Sequence, residues 1–382
     1  MVPEPKYALV HEWLTPLATG GSELVVREIL EQIDADLYAL IDFESTNPES
    51  YLYQRKIGTT FLQQFPLARR GVQNYLPLLP LAIEQLDLRD YDIILSSSHA
   101  VAKGVLTRPG QFHLCYCHTP MRYAWDLTFD YLNRSALGRG LPGIASRYIL
   151  HKLRLWDVIS ANRVDRFVAN SNYTARRIWR CYRRQADVIY PPIHCDRFPF
   201  RADKEEFYLT VSRLVSYKQV SLIVRAFNQL GRNLVVIGTG PDLEALQEMA
   251  KPNITFLGFQ PNEVVADYMS RAKAFVYAAC EDFGMAVVEA QACGTPAIAY
   301  GKGGALETVR DRVTGLLFPE QTPESLVEIT NRFETLQFNP ERIYAHAREF
   351  DTKVFQERYQ QLLERSYAAF GQSSTSSFPD LY

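Results

Sequence analysis

The chain has 382 residues, of which 47% are hydrophobic and 22% are charged, and its formal net charge is −2. This length is too great for one ordinary hydrophobic core and the composition excludes a disordered protein, so we expect two globular domains. A net charge near zero excludes the global positive field typical of nucleic-acid-binding proteins, and no apolar run approaches the ~20 residues of a membrane-spanning helix.

Short apolar runs bounded by Gly, Pro or Ser alternate with amphipathic helical stretches. Five predicted strands fall in the first half of the chain, at 6–13, 36–42, 91–98, 112–118 and 165–171. Five more fall in the second half, at 207–214, 233–238, 254–258, 274–279 and 295–300. Such runs with helices between them are typical of buried parallel strands. The pattern predicts an α/β fold in which a doubly wound, Rossmann-like domain occurs twice.

A change of composition near 190–206 marks the predicted domain boundary, because prolines interrupt any helix there and a charged run follows. We assign residues 1–195 to the first domain and 196–352 to the second. A helix is predicted at 353–370, and 371–382 is predicted to be a frayed tail. Ligands of open α/β sheets bind beyond the carboxyl ends of the strands, so we expect a cleft there between the two domains.

The net charge hides a basic block between two acidic ones. Residues 1–133 carry 10 Lys and Arg against 16 Asp and Glu, residues 134–184 carry 12 against 2, and residues 185–382 carry 19 against 25. The basic block has apolar positions at helical spacing and ends in the arginine cluster 175–184. It predicts peripheral contact with an anionic membrane or a lipid phosphate. A solvated helix face is the alternative.

Six cysteines are scattered along the chain, and its first residues run into a predicted strand without a secretory signal. We therefore expect free thiols and a cytoplasmic location. Cys115, Cys117 and His118 could suggest metal ligands, but the two cysteines share one strand face and the histidine points to the other. Two DxD-like pairs, at 34–36 and 90–92, lie at strand entrances. We expect neither a metal nor a cofactor.

The segment 280–309 carries the strongest chemical signal. Glu281 and Glu289 are eight positions apart, and Gly284 lies between them at a predicted helix start. A helix N-terminus with bare backbone N–H groups favours an anion or a hydroxyl-rich ligand. Glu289 could accept hydrogen bonds from ribose hydroxyls, and Glu281 could face a sugar. A helix that merely caps itself, with both acids solvated, is the alternative.

Two cations follow the first strand of the second domain. Arg213 leaves the end of that strand, and Lys218 comes five residues later. Both could reach one diphosphate from a single loop and stabilise its growing negative charge as it departs. Ion pairs with surface acids are the alternative for each of them.

Two glycine-rich turns belong to the same picture. Gly20 and Gly21 precede a helix, so their loop could approach a phosphate or a sugar, with an ordinary tight turn as the alternative. The segment 238–243 looks like a dinucleotide fingerprint but has Leu243 where a small residue belongs. We interpret it as a close-approach turn.

Together these motifs resemble the retaining glycosyltransferases of family 4, which have the GT-B fold of two Rossmann-like domains facing across a cleft. The resemblance covers nearly the whole chain, is strong in the second half and is looser between 45 and 90. It rests on Arg213, Lys218, Glu281, Glu289, Gly20 and Gly21. The stretches 11–14 and 116–132 are also similar to bacterial members that build surface polysaccharides, several of them mannosyltransferases.

The resemblance implies roles for these residues. Arg213 and Lys218 would hold the diphosphate, and Glu289 would hold the ribose. His118 would touch the sugar near the reacting carbon, although a hydrogen-bonded structural histidine is the alternative. The other implied contacts are Glu281, Phe283, Gly284 and Met285 with the donor sugar, Gly258 to Gln260 with the base, and Gly20–Gly21 with the diphosphate. The last helix would cross back onto the first domain.

The implied activity is transfer of a hexose, with retention of configuration, from GDP-mannose or a UDP-sugar. The acceptor would be a glycan, and a lipid-linked one in surface polysaccharide synthesis, so the enzyme would act in the cytoplasm at the inner face of the membrane. The leaving phosphate would accept the acceptor's proton, and no protein nucleophile would be needed. A sugar-nucleotide epimerase on the same fold and a catalytically dead scaffold are the alternatives.

Overall fold

The computed structural model describes residues 4–15, 20–129, 132 and 140–376. The chain forms two compact units: the first comprises 1–190 with 356–382, and the second comprises 191–355. These divisions lie close to the predicted ones at 195/196 and 352/353. Each unit has its own parallel sheet and its own hydrophobic core. The predicted fold class, α/β with two doubly wound domains, is confirmed.

The first unit contains a seven-stranded parallel sheet with the order β3-β2-β1-β4-β5-β6-β7. Its strands are β1 (Tyr7–His11), β2 (Ala35–Ala39), β3 (Ile57–Thr59), β4 (Ile93–Ser98), β5 (Phe112–Cys117), β6 (Arg166–Ala169) and β7 (Ala186–Val188). The order reverses between β1 and β4, so the loops after these two strands flank the switch point where ligands of such sheets bind.

The helices of the first unit cover this sheet. They are α1 (Gly21–Gln32), α2 (Ala68–Gly71), α3 (Leu79–Ile83), α4 (Gly140–Ser160) and α5 (Asn172–Tyr182). The last helix of the chain joins this unit from Gln356 onward, where its Phe370 ring lies 5.5 Å from that of Phe112. This helix continues to Ser376, past the predicted end at 370, so residues 371–376 of the predicted frayed tail are helical.

The second unit contains a six-stranded parallel sheet with the order β10-β9-β8-β11-β12-β13. Its strands are β8 (Tyr208–Val211), β9 (Leu234–Ile237), β10 (Ile254–Gly258), β11 (Ala274–Tyr277), β12 (Ala297–Tyr300) and β13 (Gly315–Phe318). Its helices are α6 (Val220–Leu230), α7 (Leu243–Met249), α8 (Asn262–Arg271), α9 (Met285–Ala292), α10 (Ala305–Thr308), α11 (Pro323–Phe333) and α12 (Pro340–Ala347). The helix α13 (Thr352–Ser376) begins in this unit. The switch point lies between β8 and β11.

A buried ion pair ties the first unit together. Lys103 and Asp157 are fully buried, and their charged atoms lie 2.6 Å apart. The second carboxylate oxygen of Asp157 accepts hydrogen bonds from Trp125 Nε1 and from the Tyr182 hydroxyl. This network joins the turn after β4 to α4 and α5. Removing one partner would leave an uncompensated buried charge.

Asp157→Ala should therefore lower the free energy of unfolding by about 3–5 kcal/mol, measured by urea denaturation of the full chain. Asp87→Ala is the control, because Asp87 pairs with Arg89 at the exposed surface and should leave the urea midpoint unchanged. The double variant Lys103→Met/Asp157→Ala should regain part of the loss. Equal midpoints for Asp157→Ala and Asp87→Ala would contradict the assigned role.

Candidate functional site

The candidate residues of the second unit lie at one edge of its sheet. Arg213 and Lys218 follow β8, Gly258 ends β10 and is followed by Gln260, and Glu281 follows β11. All of these strands are parallel, so their carboxyl ends meet at the same edge. The structure thus gathers residues separated by almost seventy positions into one neighbourhood.

Lys218 and Glu281 form the central contact of this edge. The Lys218 ammonium pairs with one Glu281 oxygen, and both side chains are largely buried. The other Glu281 oxygen accepts a hydrogen bond from the Tyr277 hydroxyl. Burial and the neighbouring carboxylate raise the pKa of Tyr277 well above its usual value, so this hydroxyl stays a donor. A cation and an acid predicted for one ligand therefore touch each other, while Arg213 is exposed.

Two close backbone approaches fix the Glu281 loop. Gly284 has φ +89° and precedes α9, where a residue with a side chain would be strained. Gly304 donates its N–H to the Glu281 carbonyl at 2.8 Å, and a Cβ on Gly304 would collide with the Phe283 backbone. The sequence motif pointed to Gly284 and Met285 but not to this role of Gly304. The glycine-rich run 301–304 is the sequence signal that could have revealed this contact.

Glu289 lies in the second turn of α9, as the sequence predicts. Burial raises the pKa of this carboxyl to about 7. Its charge therefore has a cost in the free protein, and a ligand that donates hydrogen bonds would favour the ionised form. Ribose hydroxyls are donors of this kind.

The remaining turns of this edge allow backbones to pass closely. Gly238 has φ +137°, and a Cβ on Gly238 or Gly240 would collide with the carbonyl of Ser212 or Leu214. The segment 238–243 is therefore the close-approach turn that we predicted. Gly258 accepts the N–H of Gly238 at 2.8 Å, and Gln260 donates from Nε2 to the Leu257 carbonyl at 2.7 Å.

In the first unit, three histidines lie beyond the ends of adjacent strands. His11 ends β1, His99 follows β4 and His118 follows β5. The His99 ring lies 6.1 Å from that of His11 and 6.3 Å from that of His118. Of these three histidines, only His118 was predicted from the sequence to contact a ligand. His11 stood in the quoted stretch 11–14, but no spacing in the sequence connects it with His99.

Ser97 links two of these rings. Its carbonyl lies 3.2 Å from His11 Nδ1 and its hydroxyl 3.1 Å from the same atom, so His11 Nδ1 carries a proton that it donates to the carbonyl. The Ser97 hydroxyl then donates to His118 Nε2 at 2.8 Å. Burial, together with the charges of His99 and His11, lowers the pKa of His118 well below its usual value. His118 is thus a neutral imidazole with its proton on Nδ1. Its Nε2 accepts the Ser97 hydroxyl, as expected for the alternative of a hydrogen-bonded structural histidine.

Glu12 holds the loop that carries His99. Its carboxylate is fully buried and accepts the backbone N–H groups of residues 99–102 at 2.7–3.0 Å, together with the Ser98 hydroxyl. Burial alone would raise the pKa of Glu12, but His99 and these N–H groups lower it. A buried anion therefore fixes the turn after β4. The motif at 11–14 was the signal that could have revealed it.

The Gly20 loop is capped from within. Gly20 precedes α1, which begins at Gly21, and its N–H donates to Glu23 Oε2 at 2.9 Å. A carboxylate thus already occupies part of the helix N-terminus at which we predicted a diphosphate. Residues 16–19, which precede Gly20, lie outside the described residues.

The basic block divides into structural and exposed cations. Arg177 pairs with Asp126 at 2.6 Å, and Arg184 donates to the carbonyls of Ala161 and Val164. These two arginines support the fold and are not a free basic surface. Residues 134–139 of the block lie outside the described residues. Over the rest of the described chain, no helix is long and apolar enough to cross a membrane.

The exposed face of α4 is apolar instead. The side chains on this face recur at intervals of three, four and seven residues, and each is 47–81% exposed. They are Leu141, Ile144, Tyr148, Leu155 and Ile159. The exposed cations Arg147 and Lys152 flank them. Such a face is typical of helices that lie on an anionic membrane surface.

The part of the chain described here contains no group of three or more His, Cys, Asp or Glu side chains placed to hold a metal. Cys115 and Cys117 are buried in β5 as free thiols. The absence of a metal and a cofactor stays a prediction.

Comparison with known families agrees with this geometry. The model described as "Glycosyl transferases group 1" matches residues 196–350, and the model "Glycosyltransferase Family 4" matches residues 19–197. Two doubly wound units with charged residues at the strand ends are the architecture of GT-B glycosyltransferases. The two matches together cover residues 19–350, so the chain belongs to the group 1, family 4 glycosyltransferases.

Two curated relatives show the range of the family. The D-inositol 3-phosphate glycosyltransferase of Mycobacteroides abscessus is 30% identical over 48% of this chain and 45% of its own. The GDP-mannose-dependent alpha-(1-6)-phosphatidylinositol monomannoside mannosyltransferase of Mycolicibacterium smegmatis is 31% identical over 38% of this chain and 46% of its own. The matches thus span about half the length of these relatives.

A solved structure is similar over a longer range. HepE of Anabaena, crystallised with UDP, shares the fold with a TM-score of 0.68 over 94% of this chain and 100% of its own. Its sequence identity of 16% supports the fold alone.

The raised pKa of Glu289 makes a testable prediction about stability. Because burial raises the folded-state pKa of Glu289 from 4.5 to about 7, the free energy of unfolding falls as pH rises between these two values and changes little above them. The thermal midpoint of the wild type should therefore fall from about pH 5 to about pH 7 more steeply than that of Glu289→Gln. The exposed Glu341→Gln is the control and should keep the wild-type slope. Parallel slopes for wild type and Glu289→Gln would rule out the buried carboxyl as the cause.

Proposed function

We propose that this protein transfers a hexose from a nucleotide sugar, with retention of configuration. The observation that carries the proposal is the Lys218–Glu281 pair at the strand-end edge of the second unit, in a chain that belongs to a glycosyltransferase family. Lys218 and Arg213 neutralise the donor diphosphate. Glu281 turns to the sugar once the diphosphate takes over its cation, and Glu289 accepts the ribose hydroxyls.

The charges at this edge suit a departing nucleoside diphosphate. A fixed ammonium in a largely buried site stabilises growing phosphate charge more than it would in water. The Met285 and Phe283 backbone at the start of α9 and the Gly258–Gln260 turn are proposed to contact the sugar and the base. The relative named for GDP-mannose and the HepE complex with UDP support a GDP- or UDP-linked donor.

His118 is proposed to donate a hydrogen bond from Nδ1 to a sugar hydroxyl. Its neutral form and its Ser97 contact support this role, since Nε2 is already occupied by the serine hydroxyl. A neutral imidazole adds no positive charge that would compete with Lys218 and Arg213 for the diphosphate. In the proposed reaction the leaving phosphate oxygen accepts the proton of the attacking acceptor hydroxyl.

The acceptor is proposed to be a glycan, lipid-linked and used in surface polysaccharide synthesis at the inner face of the membrane. The apolar face of α4, flanked by Arg147 and Lys152, supports membrane contact better than the arginine cluster 175–184 does. The epimerase and the dead scaffold are not favoured, because the named relatives are transferases and the charged residues of the motif are all present.

Lys218→Ala should reduce nucleoside diphosphate release from the preferred donor by at least ~10²-fold, because the leaving group loses its fixed cation. The donors to be tested are GDP-mannose, UDP-glucose and UDP-GlcNAc, with and without a lipid acceptor. Lys251→Ala is the matched control, since Lys251 is exposed and its ammonium donates to the Asn228 carbonyl, away from the strand-end edge. Release by Lys218→Ala at the wild-type rate would remove its role, and no release from any donor by the wild type would count against the transferase.

The α4 face makes a separate prediction. Ile144→Asp with Tyr148→Asp should weaken binding to vesicles of phosphatidylcholine and phosphatidylglycerol by about tenfold or more, because each change puts a charge into the apolar face. Leu336→Asp, an exposed apolar position of the second unit, should bind like the wild type. The binding should decrease with salt and with removal of phosphatidylglycerol. Equal sedimentation of all three proteins with the vesicles would refute membrane contact through α4.

A further inference from the structure

A cavity of about 320 Å³ lies in the first unit. Of the side chains that line it, only Glu23 has been described above. The cavity lies beyond the carboxyl ends of β1 and β2 and beside the first turns of α1. This is the ligand-binding edge of the sheet. Its volume lies at the lower end of the range for small-molecule sites. The space is therefore suited to a ligand of the size of one or two sugar rings.

The lining combines acids, one cation, an amide and an aromatic ring. The acids are Glu23, Glu44 and Glu49, and the cation is Arg27. Arg27 lies over the Tyr51 ring at 5.7 Å and is paired with Glu31. The formal charge of the lining is therefore negative, even with Arg27 counted. Carboxylates that line a cavity repel a phosphate bound inside it and accept hydrogen bonds from neutral hydroxyl groups.

Glu44 presents an unused acceptor. Its Oε1 is buried and receives no hydrogen bond from any residue in the described ranges. The backbone N–H of Glu44 donates to Asp42 Oδ1 at 2.9 Å, and Asn47 Nδ2 lies 3.4 Å from Glu44 Oε2. The turn that follows β2 thus fixes the position of this carboxylate. A buried carboxylate oxygen without a donor is costly, and a ligand hydroxyl would satisfy it.

Glu23 is held in place from behind. Its Oε2 accepts from the Gly20 N–H and the Ser22 hydroxyl, both at 2.9 Å. Its Oε1 lies 3.9 Å from Nε2 of the fully buried His11. Burial alone would raise the pKa of Glu23, but the interaction with His11 lowers it, so this carboxylate is ionised at neutral pH.

A chain of contacts connects this acid with His118. His11 Nδ1 bonds Ser97, and the Ser97 hydroxyl bonds His118 Nε2. Glu23 is thus connected to His118 by one charge contact of 3.9 Å to His11 and by two hydrogen bonds through Ser97.

We propose that this cavity binds a neutral sugar ring of the acceptor, with Glu44 and Glu23 accepting its hydroxyl protons and the Tyr51 ring packing against its apolar face. The inference rests on the proposed function, since it names the acceptor class of the same enzyme. It also separates this chain from the relative named for inositol 3-phosphate, because an acidic cavity disfavours a phosphate-bearing acceptor.

The test measures binding to the full chain without any donor, by saturation-transfer NMR. The neutral probes are the methyl glycosides of mannose, glucose and galactose, and the anionic probes are mannose 6-phosphate and myo-inositol 1-phosphate. At least one neutral glycoside should bind, and the anionic probes should bind at least tenfold more weakly. Glu44→Gln should weaken the neutral glycoside by about tenfold or more, the loss expected for a hydrogen bond to a charged group. Asp87→Asn, the same change at an exposed site of the same unit, should not.

The outcomes are distinct. Binding of no neutral glycoside, equal or tighter binding of the phosphates, or equal affinities for wild type and Glu44→Gln would each overturn the proposal. A folding defect in Glu44→Gln is recognised by its thermal midpoint, and Tyr51→Ala then tests the same cavity through loss of the ring contact. Donor turnover plays no part in this measurement, so a failed transferase assay and a failed acceptor cavity give different results.

Discussion

The ion pair between Lys218 and Glu281 is the contact on which the proposed chemistry depends. In the free protein each charge neutralises the other in a largely buried place, so neither needs to be stripped of water when a ligand arrives. A diphosphate is a better partner for the ammonium than one carboxylate, because it carries more charge and more acceptor oxygens. Exchange of partners would release Glu281 and couple donor binding to the sugar-facing acid. The Tyr277 hydroxyl limits the positions that this acid can adopt.

A different device organises the first unit. There the polar groups beyond the strand ends are buried acids whose partners are backbone N–H groups and histidines. Glu12 fixes the loop of His99 through successive amides, and Glu23 caps the Gly20 loop while it faces His11. Buried carboxylates of this kind are tolerated only when donors surround them. Glu44 differs from these acids, because its Oε1 is buried beside the acidic cavity and accepts no hydrogen bond from the described residues.

Several parts of the structure follow from local sequence patterns. Buried strands such as β4 and β5 stand out because both of their faces are covered and their residues are apolar or small, with His113 as the exception. The short edge strands β3 and β7 were missed, since three half-exposed residues carry no periodic signal. The strand β13 was missed because its four residues follow a charged turn. Glu281 and Glu289 could be predicted from the sequence to act together, because they lie eight positions apart in one loop and the helix that follows it.

The doubly wound fold class, the motif of two cations and two acids and the glycine turns can be predicted from the sequence, because each is encoded in short segments of the chain. Which charges already have protein partners depends on long-range contacts. Arg177 and Arg184 look like a basic patch in the sequence but are used by Asp126 and by backbone carbonyls. His11, His99 and Glu44 look unrelated to one another until parallel strands bring their ends to one edge. Contacts between residues far apart in the chain depend on strand order, and strand order leaves no local trace in the sequence.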